Sequence, residues 1–188
     1  MTEKHQQPSQ SSNVQLPNAE ELLNVLAQKL QPLLKKDSAL VGIHSGGVWL
    51  MERLLVLLKD TIDANAVVHG TLDVSFYRDD YAQRGLKVEN RPSQISFDVE
   101  GKNIILIDDV FYTGRTTRAA MNELFDYGRP ASISLAALVN RGGRELPIAP
   151  QIVAAEIPLD ASQHLHLTKL ADGGLALELT PQHNSART

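Results

Sequence analysis

The stretch that most constrains this chain begins with four apolar residues, Ile104, Ile105, Leu106 and Ile107, which run directly into Asp108 and Asp109. Val110, Phe111, Tyr112, Thr113, Gly114, Arg115, Thr116 and Thr117 follow, and an amphipathic pattern beyond them carries Ala119, Ala120, Leu124 and Phe125 as packing candidates. A short apolar run bounded by turn residues reads as a strand buried on both faces, here over 103–107, with a loop over 108–114 and a helix over 115–127. Gly128 and Pro130 are stop signals for that helix.

Ligands of α/β folds gather at the carboxyl ends of parallel strands, so Asp108 and Asp109 arrive at a site. The turn that follows enters a helix N-terminus, where free N–H groups and the helix dipole favour an anion. Gly114 lets the backbone come close, and the hydroxyls of Thr113, Thr116 and Thr117 add donors. Two carboxylates would repel a bare phosphate. The ligand must therefore present hydroxyls or a divalent cation to the acids and its phosphate to the turn, which a sugar phosphate does. An isolated acid pair is more often a cap or a solvated turn, but that reading does not account for strand, acid pair and threonine turn together. No GxxxxGK[ST] pattern occurs, which excludes a Walker phosphate loop.

With 188 residues, 43% of them apolar, the chain can bury one sizeable core, and one domain over 17–180 is expected between flexible tails at 1–16 and 181–188. The opening segment is rich in Gln and Ser and is expected to be disordered. Next, Leu22, Leu23, Leu26, Leu30 and Leu33 recur on one helical face, with Asn18 as N-cap, Glu20 and Glu21 in the first turn and Pro32 near the end. An apolar run over 39–44 closed by Ser45, Gly46 and Gly47, then a helical pattern over 48–59, repeats the order strand, turn, helix. Further strands are expected over 67–77, 131–139 and 151–157, a mobile flap over 78–92, and a hairpin turning at Asp172, Gly173 and Gly174. The fold class is α/β, a mainly parallel twisted sheet with helices on both faces.

No apolar run reaches the roughly eighteen residues of a membrane span, and the opening segment lacks the apolar stretch of a signal peptide, so a cytoplasmic protein is expected. The absence of cysteine excludes disulfides and thiolate chemistry, so any metal would be held by oxygen or imidazole. A net charge of -4 gives no global attraction to nucleic acid.

Residues 104–117 resemble the ribose-phosphate-binding motif of type I phosphoribosyltransferases, which use 5-phosphoribosyl 1-pyrophosphate (PRPP). Three further runs narrow the resemblance: Tyr77-Arg78-Asp79-Asp80, Tyr127-Gly128-Arg129-Pro130, and Asn140-Arg141-Gly142-Gly143-Arg144-Glu145-Leu146-Pro147-Ile148. Together they resemble the PyrR family of bifunctional pyrimidine operon regulators and uracil phosphoribosyltransferases, over most of residues 38–180.

Carried over by position, the resemblance implies that Asp108 and Asp109 are the catalytic carboxylates, contacting the ribose hydroxyls and a Mg2+-bound donor. It implies that the run from Val110 to Thr117 binds PRPP, with Thr113, Gly114, Arg115, Thr116 and Thr117 on its 5-phosphate. Ser45, Gly46 and Gly47 fall in the pyrophosphate loop, Arg78 and Asp79 begin a flexible hood, and Tyr112, Asn140 and Arg141 lie on the base side. Tyr112 stands where related purine salvage enzymes often carry an acid, which leans toward a pyrimidine. On local sequence alone, the glycine turn is an ordinary strand-to-helix connection, Arg78 and Asp79 a solvated charge cluster, Tyr112 a packing residue, and Arg144 with Glu145 a surface ion pair.

Two departures stand out. The family's pyrophosphate loop usually carries a basic residue where this chain has Gly46, leaving His44 as the nearby titratable group. Its RNA-binding members tend to have a basic first helix, where this chain offers Lys29. The implied function is formation of UMP from uracil and PRPP, with Mg2+ as cofactor, in a homo-oligomer of two or more chains and away from membranes. The alternatives are a uridine-nucleotide-sensing regulator that binds an mRNA leader of pyrimidine genes, through Arg141, Arg144 and Lys29, and a transferase for another base. No side chain is assignable as general base.

Overall fold

Leucines at helical spacing, then apolar runs separated by glycine turns, set the elements of the chain. A computed structural model describes residues 15–60, 67–74 and 92–181. Helix α1 (Ala19–Leu30) starts at Asn18, whose side-chain oxygen accepts from the N–H groups of Glu20 at 2.8 Å and Glu21 at 3.3 Å. This satisfies two of the donors that a helix start leaves bare. Pro32 lies in a 3-10 turn, Gln31–Leu33, because proline lacks the N–H that would continue the α-helix. That change of winding takes Leu33 off the leucine stripe, and it is 46% exposed rather than buried. Leu16 packs against the same core, so the tail expected over 1–16 is ordered at its last residues; residues 1–14 and 182–188 lie outside the described set.

The remaining elements are β1 (Ser38–Ile43), α2 (Gly46–Leu58), β2 (Val68–Leu72), β3 (Asn103–Phe111), α3 (Arg115–Asp126), β4 (Ser132–Asn140), β5 (Ile152–Glu156), β6 (Gln163–Lys169) and β7 (Leu175–Pro181). Strands β1 to β5 form one parallel sheet in the order β2-β1-β3-β4-β5. The last two strands pair antiparallel as the expected hairpin.

Alternation along the strands divides the core in two. Leu40, Ile105 and Ile107 face α1, α2 and the hairpin, where Leu26, Leu30, Leu50, Leu54 and Leu165 are buried. Val41, Ile104 and Leu106 face α3, through Ala120 and Leu124. Each fully buried side chain of this size stabilises the fold by about 1.5–3 kcal/mol. The sheet is therefore covered on both sides, which is why β1 and β3 read as unbroken apolar runs.

Three expectations change. Strand β3 does not end at Ile107. Its ladder with β4 continues through Asp108 opposite Ala137 and Phe111 opposite Asn140, so the acid pair sits in regular strand rather than in a loop. Phe125 is 52% exposed, because it lies one residue, about 100° of helix, past Leu124 and off the face that meets the sheet. Among the described residues the strand expected over 67–77 is β2, and residues 75–77 lie outside the described set, as does most of the expected flap.

Candidate active site

The sheet's connections reverse between β1 and β3: β1 leads to β2 on one side, while β3 leads to β4 and β5 on the other. At such a switch point the connections depart to opposite faces and leave a crevice at the carboxyl ends of the strands, where ligands of α/β folds bind. The turn at Ser45, Gly46 and Gly47 follows β1, and the acid pair lies near the carboxyl end of β3, with Asp109 two residues before its end at Phe111. Both candidate segments therefore flank the crevice.

Close packing joins them. A Cβ on Gly46 would overlap the carboxyl group of Asp109, and a Cβ on Gly47 would overlap the carbonyl oxygen of Ile107. Only glycines let the first turn of α2 press against β3 in this way. The His44–Ser45 peptide is cis, and the carbonyl of Ser45 accepts from the N–H of Trp49 at 3.3 Å. Asp108 and Asp109 are 5% and 6% exposed. Neighbours on a strand point to opposite faces, so Asp109 turns toward α2 and Asp108 toward the α3 side. The backbone N–H of Asp109 also donates to Oδ1 of Asp108 at 3.0 Å.

The threonine turn runs into the start of α3. Gly114 is the N-cap of α3 with φ of +92°, a conformation that disfavours any side chain. Thr113 Oγ1 accepts from the N–H of Arg115 at 3.2 Å, and the Gly114 carbonyl accepts from the N–H of Arg118 at 2.9 Å. The carbonyl of Thr113 accepts from the N–H groups of Glu145 and Leu146 at 3.0 and 3.1 Å, which docks the segment after β4 onto the turn. Glu145 takes its ion pair from Arg115, Nη2 to Oε2 at 2.5 Å and Nε to Oε2 at 3.1 Å, not from Arg144. Thr116 is half-buried at the helix start. Thr117 is 1% exposed. It lines a cavity of about 210 Å³ with Leu106, Met121, Ile133 and Leu135, and its hydroxyl has no hydrogen-bond partner among the described residues.

On the base side, Tyr112 follows β3, while Asn140 ends β4 and Arg141 follows it. The Asn140 side chain accepts from the N–H of Gly142 at 3.2 Å. The guanidinium of Arg141 stacks on the ring of Tyr112, 3.9 Å from its centre, and Nη2 donates to the carbonyl of Asp160 at 3.0 Å. Burial pushes the Arg141 pKa down, against the pull of Tyr112 and Asp160. Asp160 in turn is held below the usual carboxylate range, first by the backbone and then by the side chain of Ser162. Sequence reasoning missed Asp160. It is recognisable only as the start of an Asp-Ala-Ser turn, and its contact to Arg141 runs through a backbone carbonyl that any residue supplies. Arg78 and Asp79 lie outside the described residues.

The described residues bring together no set of three His, Asp or Glu side chains suited to hold a cation alone. A Mg2+ delivered by a substrate commonly takes only one or two carboxylates and completes its shell with phosphate oxygens and water, so a single buried carboxylate on either face of β3 suits it.

The family model described as phosphoribosyl transferase domain matches residues 10–162. The bifunctional protein PyrR of Pseudomonas syringae pv. tomato is 46% identical over 168 residues, covering 87% of this chain and 95% of that protein. Its counterpart in Nitrosococcus oceani is 47% identical over 143 residues, 76% of this chain and 79% of that protein. Among solved structures, the purine phosphoribosyltransferase from Pyrococcus horikoshii Ot3 superposes with a TM-score of 0.54 at 25% identity, covering 73% of this chain and 81% of that one. Fold and motif thus define a phosphoribosyl transferase domain. Within that class the chain belongs to the PyrR family.

Proposed function

We propose that this chain is a uracil phosphoribosyltransferase, forming UMP and pyrophosphate from uracil and PRPP. The observation that carries the reading is the apposition of Gly46 and Asp109 across the β1/β3 crevice. A glycine turn pressed onto a buried acid pair, with a second glycine-capped helix start on the same strand, offers backbone donors to two phosphate groups and carboxylates to the sugar between them.

In this reading N1 of uracil bonds to C1 of the ribose as the C1–oxygen bond to pyrophosphate breaks, and the N1 proton leaves to a group that we do not assign. Thr113, Gly114, Arg115 and Thr116 hold the 5-phosphate at the start of α3, with Thr117 contributing through its backbone N–H rather than its hydroxyl. Asp108 and Asp109 bind the ribose hydroxyls and stabilise positive charge as C1 becomes cation-like. Ser45, Gly46 and Gly47 receive the leaving pyrophosphate through backbone N–H groups. Arg78 and Asp79 belong to a hood that excludes water. Mg2+ bound to the donor, held through Asp108 or Asp109, would offset charge on the pyrophosphate. Most of the rate enhancement then comes from positioning and electrostatics. A homo-oligomer and a cytoplasmic location fit the family; no helix among the described residues is long and apolar enough to cross a membrane.

The word bifunctional in the relatives' name favours a second reading, a uridine-nucleotide-sensing regulator of pyrimidine genes that binds an mRNA leader. The side chains give it less support. Arg141 is 2% exposed, and Lys29 donates its ammonium to the carbonyl of Val153 at 2.6 Å. Of the three cations named for RNA, only Arg144 combines exposure with freedom from these contacts.

The test is pyrophosphate release from PRPP across a panel of pyrimidine and purine bases, with uracil expected to give the highest kcat/KM by at least about tenfold. Activity confined to a purine, or none with any base, would overturn the proposal.

A further inference from the structure

Arg115 is the one cation in the turn from Thr113 to Thr117, directly after the glycine that caps α3. Its guanidinium is already bound: Nε and Nη2 both donate to Oε2 of Glu145, at 3.1 and 2.5 Å. Glu145 reaches it from a fixed place. Its backbone N–H and that of Leu146 donate to the carbonyl of Thr113, and a Cβ on Gly114 would meet Cβ of Leu146 at 3.4 Å. The segment after β4 therefore lies against the turn, and it carries an acid to the place where bare N–H groups and the helix dipole favour an anion.

Stability does not account for that acid. The two side chains are 52% and 50% exposed, and an ion pair so open to water holds a fold together weakly. The backbone hydrogen bonds to Thr113 and the packing of Leu146 on Gly114 dock the segment without it. What the pair changes is charge. An unpaired guanidinium at the start of α3 would add a full positive charge to a site that already attracts anions; joined to Glu145 it adds none, and the anion is left to neutral donors. The 5-phosphate is the same group in PRPP and in UMP, so added attraction at this point binds donor and product alike. Such uniform binding lowers KM without raising kcat, and it slows release of the nucleotide.

We infer that Glu145 is a positioning residue that withholds the Arg115 guanidinium from the 5-phosphate, so that the turn grips a sugar phosphate through backbone and threonine donors and lets the nucleotide go. Arg115 then serves the phosphate through its place in the turn, not through its charge. The inference rests on the transferase reading and sets how tightly that reading's phosphate turn binds.

The test is calorimetric titration of UMP and of ribose 5-phosphate into wild type, Glu145→Gln, Glu145→Asp and the double variant Arg115→Gln with Glu145→Gln, at low and at physiological salt. Glu145→Gln keeps the size of the side chain and removes its charge. It should tighten both ligands about three- to fivefold at low salt, with a smaller gain as salt screens the freed cation. In steady-state kinetics with uracil the same variant should lower KM for PRPP with no rise in kcat. Glu145→Asp keeps the charge and should fall back to less than about half of that gain. Adding Arg115→Gln should take the gain away, because it comes from the released guanidinium. Weaker or unchanged binding by folded Glu145→Gln overturns the inference, since a residue that only props the turn would loosen it when altered. A gain that survives in the double variant overturns it too, by showing that Glu145 acts on the phosphate without Arg115. A wild-type chain that binds neither UMP nor ribose 5-phosphate overturns the transferase reading, and this inference with it.

Discussion

A side chain on Gly46 would occupy the space that the Asp109 carboxylate fills. The basic residue usual at this point of the family's pyrophosphate loop therefore has no room while Asp109 keeps its place, and the departure at Gly46 is tied to the position of the acid. Gly46→Ala should displace Asp109, destabilising the fold by about 1–3 kcal/mol and lowering kcat/KM for PRPP by about 100-fold or more. Gly46→Lys, despite restoring a cation, should be no better. Pyrophosphate release and thermal unfolding check both, and a gain of activity in Gly46→Lys would show that Asp109 yields without consequence.

Asp108 and Asp109 lie near the carboxyl end of a buried strand without filling the core. Replacing both with asparagine leaves side chains of the same shape and an oxygen at position 108 to accept the N–H of residue 109. Asp108→Asn with Asp109→Asn should therefore lose turnover by about 100-fold or more. Its unfolding free energy should stay within about 2 kcal/mol of wild type. Near-wild-type turnover would remove both residues from the chemistry.

Thr117 divides two expectations. By position its hydroxyl belongs to the phosphate turn, yet it lines an apolar cavity beside Leu106 and Met121, and its oxygen has no partner among the described residues. Valine has the same shape without the buried donor. Thr117→Val should raise Tm by about 2–4 °C, corresponding to about 1 kcal/mol, and leave KM for PRPP unchanged. A rise in that KM of tenfold or more would place the hydroxyl on the phosphate.

The parts legible in the sequence were those governed by neighbours along the chain. The Asn18 cap, the apolar β1 and β3, the turn at Gly114 and the hairpin at Gly173 all follow from local spacing and backbone preference. What stayed hidden depends on partners far away in sequence. Strand β3 runs on through the acid pair because β4 supplies its ladder, with Asp108 opposite Ala137. Glu145 pairs with Arg115, thirty residues earlier, rather than with adjacent Arg144. Position placed Arg141 with Tyr112 on the base side, but only the fold buries it and brings the Tyr112 ring beneath it. The crevice itself was inferred from the β/α order, but which turn touches which acid required the packing of Gly46 on Asp109.

Binding to an RNA leader sets family membership against the placement of the cations. Phosphate contacts release counterions, so each one adds roughly 0.9 to the slope of log affinity against log salt on a duplex, and roughly 0.7 on a single strand. A regulator that reads a leader specifically needs several such contacts on one face. Here the chain carries a net charge of -4, Lys29 is bound to a backbone carbonyl, and Arg141 is stacked under cover on Tyr112. Of the three, only Arg144 is both exposed and outside these contacts, which supplies about one contact. We therefore expect weak binding to a pyrimidine-operon leader, with a shallow salt slope that Arg144→Ala reduces by about one further unit at most. UMP should change it little, because a ligand shifts only states that differ in affinity for it. Filter binding across several salt concentrations, with and without UMP, measures slope and linkage together. A sequence-specific complex that survives physiological salt and responds to UMP would overturn this expectation. It would also mean that further cations take part in the RNA surface, since Arg141 cannot leave Tyr112 and Asp160 without unpairing a buried guanidinium.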